Sequence, residues 1–121
     1  MTGSRRGVAA LRPAVLLAVA SIAGVTAACS TTPRHAVHVV EMRGLQFQPQ
    51  RVEVALGDTV VWVNHDIVPH TSTALDHAWA SGLIASDSSW RAVVTQPGVH
   101  RYFCTLHTNM RAEIDARASR G

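Results

Sequence analysis

Three residues near the C-terminal end of the chain have side chains that bind soft metal ions. Cys104, His107 and Met110 stand at positions i, i+3 and i+6, so a short loop can turn a thiol, an imidazole and a thioether towards one centre. Thiolate and thioether sulfurs favour Cu(I), and imidazole binds both oxidation states of copper. Two histidines and a cysteine in one plane, with a weak axial methionine, form the copper centres of electron-transfer proteins. The spacing therefore predicts three of the four ligands of such a centre.

The second imidazole has to come from another part of the chain. His70 lies 34 residues before Cys104 in a loop that contains Pro69, and it is the candidate. His65, five residues earlier in the same loop, is the competing histidine. The remaining histidines are expected to be surface or strand residues without a role: His35, His38, His77 and His100.

Other interpretations of these residues remain open at this point. Cys104 could be an inert buried thiol, or it could form a disulfide with Cys29, the other cysteine of the chain. Met110 could be an ordinary core residue. A zinc site is the rival metal centre, but zinc usually takes several thiolates or a carboxylate and does not use methionine. The thioether therefore favours copper.

Short strands must position these ligands. Apolar and β-branched runs, separated by glycine, proline and other turn residues, predict strands over 37–42, 47–54, 59–64, 90–94, 99–103 and 113–116. Pro49 confines the first half of the second strand to a sheet edge or a bend. No stretch after residue 35 has a sustained helical period. The pattern indicates an all-β sandwich or small barrel.

The same segments resemble the cupredoxins, the type 1 blue copper proteins, in particular the group of plastocyanin, amicyanin and pseudoazurin. The resemblance rests on residues 57–66, 68–71, 97–98 and 102–110, and it extends from about residue 37 to 116. It implies a Greek-key antiparallel β-sandwich of about seven or eight strands. It also implies one copper ion that cycles between Cu(I) and Cu(II).

The resemblance implies a role for individual residues as well. The ligands would be His70, Cys104, His107 and Met110, which favours His70 over His65. The ring edge of His107 would be the exit for the electron, inside an apolar patch made of Pro69, Leu106, Thr108 and Asn109. The family often has asparagine directly after the first histidine ligand, where it ties the two ligand loops together. This chain has Thr71 there, so we expect that link to be weaker or to be made differently.

The first 28 residues are typical of an export signal. Arg5, Arg6 and Arg12 precede an uncharged run from Pro13 to Ala28, which ends in small residues. A permanent membrane anchor helix is the alternative, but the run of 16 residues is shorter than the roughly 18–20 that span a bilayer.

Cys29 follows this signal directly. Residues 26–29, Thr-Ala-Ala-Cys, resemble the bacterial lipobox, in which the cysteine becomes the lipidated N-terminus, although a lipobox usually opens with leucine. We therefore expect residues 29–35 to form a lipidated cysteine and a short tether, and residues 36–121 to form the cupredoxin-like domain. The exported protein would be held at the periplasmic or cell-surface face of the membrane.

Charge argues against a nucleic-acid-binding protein. The whole chain has a formal charge of +3, but without the three arginines of the signal 8 basic residues face 8 acidic ones. No basic cluster remains to bind a phosphate backbone.

These features predict a one-electron carrier that works with redox partner proteins, and we expect it to be a monomer. A copper chaperone or scavenger is the alternative function, although the chain lacks the Met-rich or His-rich tracts common in copper-handling proteins. A copper enzyme would need a second catalytic metal site, so we expect no enzymatic activity.

Overall fold

The structure is a computed structural model that describes residues 1–3 and 7–118. The chain divides into two compact units, Met1–Ser30 and Thr31–Gly121. In the first unit the described residues are exposed and form neither helix nor strand. The described part of the chain has no helix long and apolar enough to cross a membrane. Arg5 and Arg6 of the predicted export signal lie outside the described residues.

Eight strands in two sheets are found among residues 31–118, the described part of the second unit. In chain order they are β1 (Val37–Met42), β2 (Phe47–Gln48), β3 (Arg51–Ala55), β4 (Thr59–Asn64), β5 (Thr73–Ala74), β6 (Ser89–Val93), β7 (Gly98–Phe103) and β8 (Arg111–Arg117). One sheet has the order β2-β1-β4-β6, and the other has the order β3-β8-β7-β5. The described residues contain no helix. The prediction of an all-β sandwich with seven or eight strands is confirmed.

The two sheets are mixed: of the six strand pairs among the described residues, four are antiparallel, as in the predicted antiparallel sandwich, and two are parallel. β1 pairs in parallel with β4, and β3 pairs in parallel with β8. The reason is topological, because the chain leaves the first sheet to form β3 before it returns as β4. A strand that returns after such a crossover can lie beside β1 in the same direction, whereas a tight hairpin cannot.

The predicted strands agree with the observed ones to within two residues at each end, with two exceptions. The 47–54 run divides into β2 and β3 around Pro49, and both strands lie at sheet edges, as expected for a proline in this position. β5 was not predicted, because two residues are too few to produce an alternating pattern.

Aromatic side chains fill the space between the sheets. Trp62 from β4 and Tyr102 from β7 are buried and meet edge to face, with ring centroids 5.7 Å apart. Phe47 packs on the Tyr102 ring at 4.8 Å, and Trp90 lies 5.4 Å from Trp62. Such rings contribute much of the apolar area that a small domain can bury. Cys104 and Met110, two of the predicted ligands, belong to the same buried cluster as Trp62 and Tyr102.

Candidate metal centre

The predicted ligands Cys104, His107 and Met110 all lie in the loop that joins β7 to β8. Phe103 and Arg111 pair across the hairpin and hold the two ends of this loop together. Inside it, the Cys104 N–H donates to the Met110 carbonyl at 3.1 Å, and the Met110 N–H donates to the His107 carbonyl at 2.9 Å. Main-chain hydrogen bonds therefore close the loop, and they bring the backbones of Cys104, His107 and Met110 close together.

His70 reaches the same place from the loop between β4 and β5. Two backbone hydrogen bonds join it to Ile84, with N–O distances of 3.1 and 2.7 Å. The side chain is completely buried. His65 is exposed, and its ring nitrogen lies 3.6 Å from Glu41. The structure thus brings His70 to the other candidate ligands and leaves His65 outside.

Three donor atoms form a small triangle. The Nδ1 atoms of His70 and His107 are 3.2 Å apart, and each lies 3.8 Å from Cys104 Sγ. Among the described residues this is the one group of three or more histidine, cysteine or acidic side chains close enough to share an ion. Metal–imidazole bonds of about 2.0 Å and metal–thiolate bonds of about 2.3 Å give edges of about 3.5 and 3.8 Å in a flat trigonal site. The triangle therefore has the size that one metal ion requires.

The donor set fits copper. Two imidazoles and one thiolate are the planar ligands of electron-transfer copper sites, in which methionine is the weak axial ligand. Met110 is buried in the same hydrophobic cluster as Cys104, and its carbonyl accepts the Cys104 N–H. Its role as the axial ligand remains a prediction.

Thr71 ties the two ligand loops together, which explains how the chain manages without the family's usual asparagine. Its N–H points at Cys104 Sγ at 3.3 Å. Its hydroxyl Oγ1 accepts the Thr105 N–H at 2.8 Å and lies 3.1 Å from Thr105 Oγ1. The link that we expected to be weaker or different is thus made by a hydroxyl group.

Asn64 shapes the loop that carries His70, a role that the sequence analysis missed. Its buried amide donates to the Val68 and Ile84 carbonyls at 2.8 and 3.0 Å, and its Oδ1 accepts the Asp66 N–H at 2.9 Å. An asparagine at the end of a strand often caps the following turn in this manner, and that pattern was available in the sequence.

Asp66 was also missed. Its Oδ2 lies 2.8 Å from His70 Nε2, and its two oxygens accept the Gly44 and Leu45 N–H groups at 2.7 and 2.9 Å. Burial raises the pKa of this carboxyl, but the hydrogen bonds from Leu45, His70 and Gly44 outweigh it, so the pKa lies below its usual value. The group is therefore a carboxylate at neutral pH.

The residues of the predicted exit patch differ in exposure from the deeper ligands. His107 is half-buried, and Leu106 beside it is 51% exposed. Pro69, Thr108 and Asn109 are exposed as well. Of the triangle's three residues, His107 is thus the one whose side chain reaches solvent.

Both cysteines are free in this structure. Cys104 is buried, as its position in the triangle requires, whereas Cys29 is exposed within the unit Met1–Ser30.

Comparison with known proteins identifies the family of the chain. Residues 34–116 match the family model of copper binding proteins of the plastocyanin/azurin family. Amicyanin of Paracoccus denitrificans is 27% identical over 81 residues, which are 63% of this chain and 62% of that protein. The chain thus spans less than two thirds of this relative's length.

Solved structures show the same fold. A mutant amicyanin in the Cu(I) form superposes with a TM-score of 0.63 at 22% identity, covering 67% of this chain and 82% of the other. A copper-containing nitrite reductase from Thermus scotoductus matches with a TM-score of 0.62 at 25% identity, covering 66% of this chain but only 22% of the enzyme. The family match covers most of the chain and includes all four predicted ligands. The chain therefore belongs to the plastocyanin/azurin family of copper-binding proteins, and copper is its cofactor.

Proposed function

We propose that the protein is a one-electron carrier whose copper is held by His70, Cys104, His107 and Met110. Bound copper supplies the chemistry by cycling between Cu(I) and Cu(II). The chain's own residues hold the ligands still, exclude water and offer one ring edge to a partner.

The observation that carries the proposal is that bonds independent of any ion fix the ligands. His70 is held by Ile84, the 104–110 loop is closed by its own main chain, and Thr71 joins the two loops. A carrier works fastest when its ligands move little between oxidation states, and a fixed frame provides that. A chaperone or scavenger needs ligands that an acceptor can reach, whereas His70 and Cys104 are both fully buried here.

His107 is the proposed exit for the electron. It is half-buried and adjoins the exposed Leu106, so a partner protein can approach its ring edge. The balanced charge of the chain after the signal arginines argues against strong steering by net charge. We propose a monomer that forms short-lived complexes with redox partner proteins.

We further propose that residues 1–28 direct export and that Cys29 is lipidated. The basic, apolar and small-residue order of the signal supports export, and the exposed Cys29 is accessible to a modifying enzyme. The copper domain would then lie at the periplasmic or cell-surface face of the membrane.

Spectroscopy and repeated redox cycling test the carrier proposal. The purified protein loaded with Cu(II) should show an intense thiolate-to-copper visible band that disappears in Cys104→Ser. It should keep its copper through many cycles of reduction and reoxidation in the presence of a copper-accepting chelator, and it should not turn over nitrite. A colourless protein that purifies with zinc contradicts the proposal, and release of copper to the chelator supports the chaperone instead.

Mass spectrometry of the membrane fraction tests the anchor. The mature N-terminal peptide should begin at Cys29 and carry a diacyl or triacyl mass, and Cys29→Ser should release the protein from the membrane. A soluble mature protein that starts at another residue contradicts lipidation.

A further inference from the structure

The imidazole of His70 has a partner on each side. Its Nδ1 faces Cys104 Sγ and His107 within the triangle, and its Nε2 lies 2.8 Å from Asp66 Oδ2. If Nδ1 keeps its lone pair for a metal ion, Nε2 must carry the ring hydrogen and donate it to the carboxylate. The histidine is fully buried, and the aspartate side chain is 15% exposed, so little water competes for this bond.

The Asp66 carboxylate is itself held in place. The Gly44 and Leu45 N–H groups donate to its two oxygens, and its own N–H donates to Asn64. Gly44 and Leu45 both have a φ of 60°. In this left-handed turn the two successive N–H groups point at the same carboxylate, one at each oxygen. The carboxylate thus joins the turn after β1 to the loop that carries His70.

We propose that Asp66 is a positioning residue that fixes the His70 ring and shifts the balance of the copper site towards Cu(II). The inference rests on the proposed function, because it takes His70 as a copper ligand. A carboxylate that accepts the far ring hydrogen orients the imidazole and makes it a stronger donor. It also places a negative charge near the site. Both effects favour the more highly charged ion, so Asp66 lowers the reduction potential.

The matched pair of variants is Asp66→Asn and Asp76→Asn. The first keeps the side-chain shape but removes the charge beside His70. The second removes the same kind of aspartate–histidine contact at His100, where Asp76 pairs with a buried ring outside the triangle. Partners of this kind alter metal affinity by about 10–100-fold. We therefore expect Asp66→Asn to lower the affinity for Cu(II) relative to Cu(I) by about tenfold, which raises the potential by about 59 mV.

The measurements are protein-film voltammetry and the Cu(II) EPR spectrum of the full-length protein in each variant. Asp76→Asn should match the wild type in both, while Asp66→Asn should have a raised potential and altered copper hyperfine splitting. The proposal is overturned if the potential of Asp66→Asn corresponds to less than a twofold change in the affinity for Cu(II) relative to Cu(I), even if the variant is less stable. Asp66 would then serve only to tie the His70 loop to the turn at Gly44 and Leu45.

A measurement on the wild type covers the case in which Asp66→Asn does not fold. In ¹⁵N-edited NMR spectra of the metal-free and Cu(I) proteins, His70 should carry its hydrogen on Nε2, with slow exchange and a downfield shift. A hydrogen on Nδ1 in the Cu(I) protein, or an Nε2 hydrogen that exchanges with water as fast as that of an exposed histidine, overturns the proposal. The metal-free spectrum reports this bond even if the thiolate-to-copper band is absent, so failure of the proposed function is recognised separately.

Discussion

The hydroxyl of Thr71 provides the sharpest test of how the metal centre is held. In Thr71→Val the side-chain shape is kept, but Oγ1 is lost and the Thr105 N–H loses its acceptor at 2.8 Å. The Thr71 N–H still points at Cys104 Sγ, because that donor belongs to the main chain. The variant therefore removes the tie between the two ligand loops without removing a donor from the sulfur.

The size of the effect follows from the surroundings of the broken bond. A buried polar group without a partner costs about 1–3 kcal/mol. Thr71 is buried but Thr105 is exposed, so water can reach part of the unpaired N–H. We therefore expect the lower half of that range, about 1–2 kcal/mol of unfolding free energy. For a domain of this size, each kcal/mol lowers Tm by about 4–8 °C.

Thr105→Val is the matched control for this measurement. It removes the contact between the two hydroxyls at 3.1 Å, yet the Thr105 N–H still donates to Thr71. Urea unfolding of the metal-free proteins, followed by circular dichroism, should place Thr105→Val within about 0.5 kcal/mol of the wild type, as is usual for surface substitutions. Equal stabilities of Thr71→Val and Thr105→Val would refute the reasoning, because the hydroxyl would then not be the tie.

Three further predictions concern other parts of the frame. Asn64→Ala removes three hydrogen bonds, each worth about 1 kcal/mol, so urea unfolding should show a loss of about 3 kcal/mol; a loss below about 1 kcal/mol would contradict its role. Burial lowers the pKa of His100, but its hydrogen bonds to the Gln96 carbonyl and to Asp76 raise the pKa by more than burial lowers it. The pKa of His100 therefore lies above its usual value. The stabilising contribution of His100 is then complete below about pH 6.5 and is lost as the pH rises through the raised pKa; a stability difference between wild type and His100→Gln that stays constant from pH 5 to 9 would contradict this. Removal of copper by a chelator should lower Tm but leave the far-ultraviolet circular dichroism unchanged, because main-chain bonds hold His70. A metal-free protein that is unfolded would contradict this prediction.

The parts of the fold that the sequence predicted are the local ones. The strongest strand, β4, shows its apolar run directly in the sequence, and Trp62 at its centre is fully buried. The two parallel pairings were not visible in the sequence, because the direction of strand pairing is not a local property. β1 and β4 are both apolar, and nothing in either run distinguishes a parallel neighbour from an antiparallel one. The path of the chain through β3 decides it.

The candidate ligands, like the strands, could be recognised from local sequence, whereas the residues that support them could not. Cys104, His107 and Met110 were found because one loop contains all three, so their spacing is visible. His70 was preferred to His65 by resemblance and by the preceding Pro69; in the structure His70 is buried beside Cys104 and His107, whereas His65 is exposed. Asp66 was not recognised, since a separation of four residues within a loop does not by itself bring it to His70, and its other partners, Gly44 and Leu45, come from a different loop.

Burial of the ligands also explains why the ion should stabilise the fold without creating it. The two Nδ1 atoms stand 3.2 Å apart beside a buried sulfur. A copper ion held by His70, Cys104 and His107 would give these three donor atoms a common partner. The main-chain bonds that hold the ligand loops do not involve an ion, and copper that binds only the folded chain adds stability that grows with the logarithm of its concentration divided by Kd.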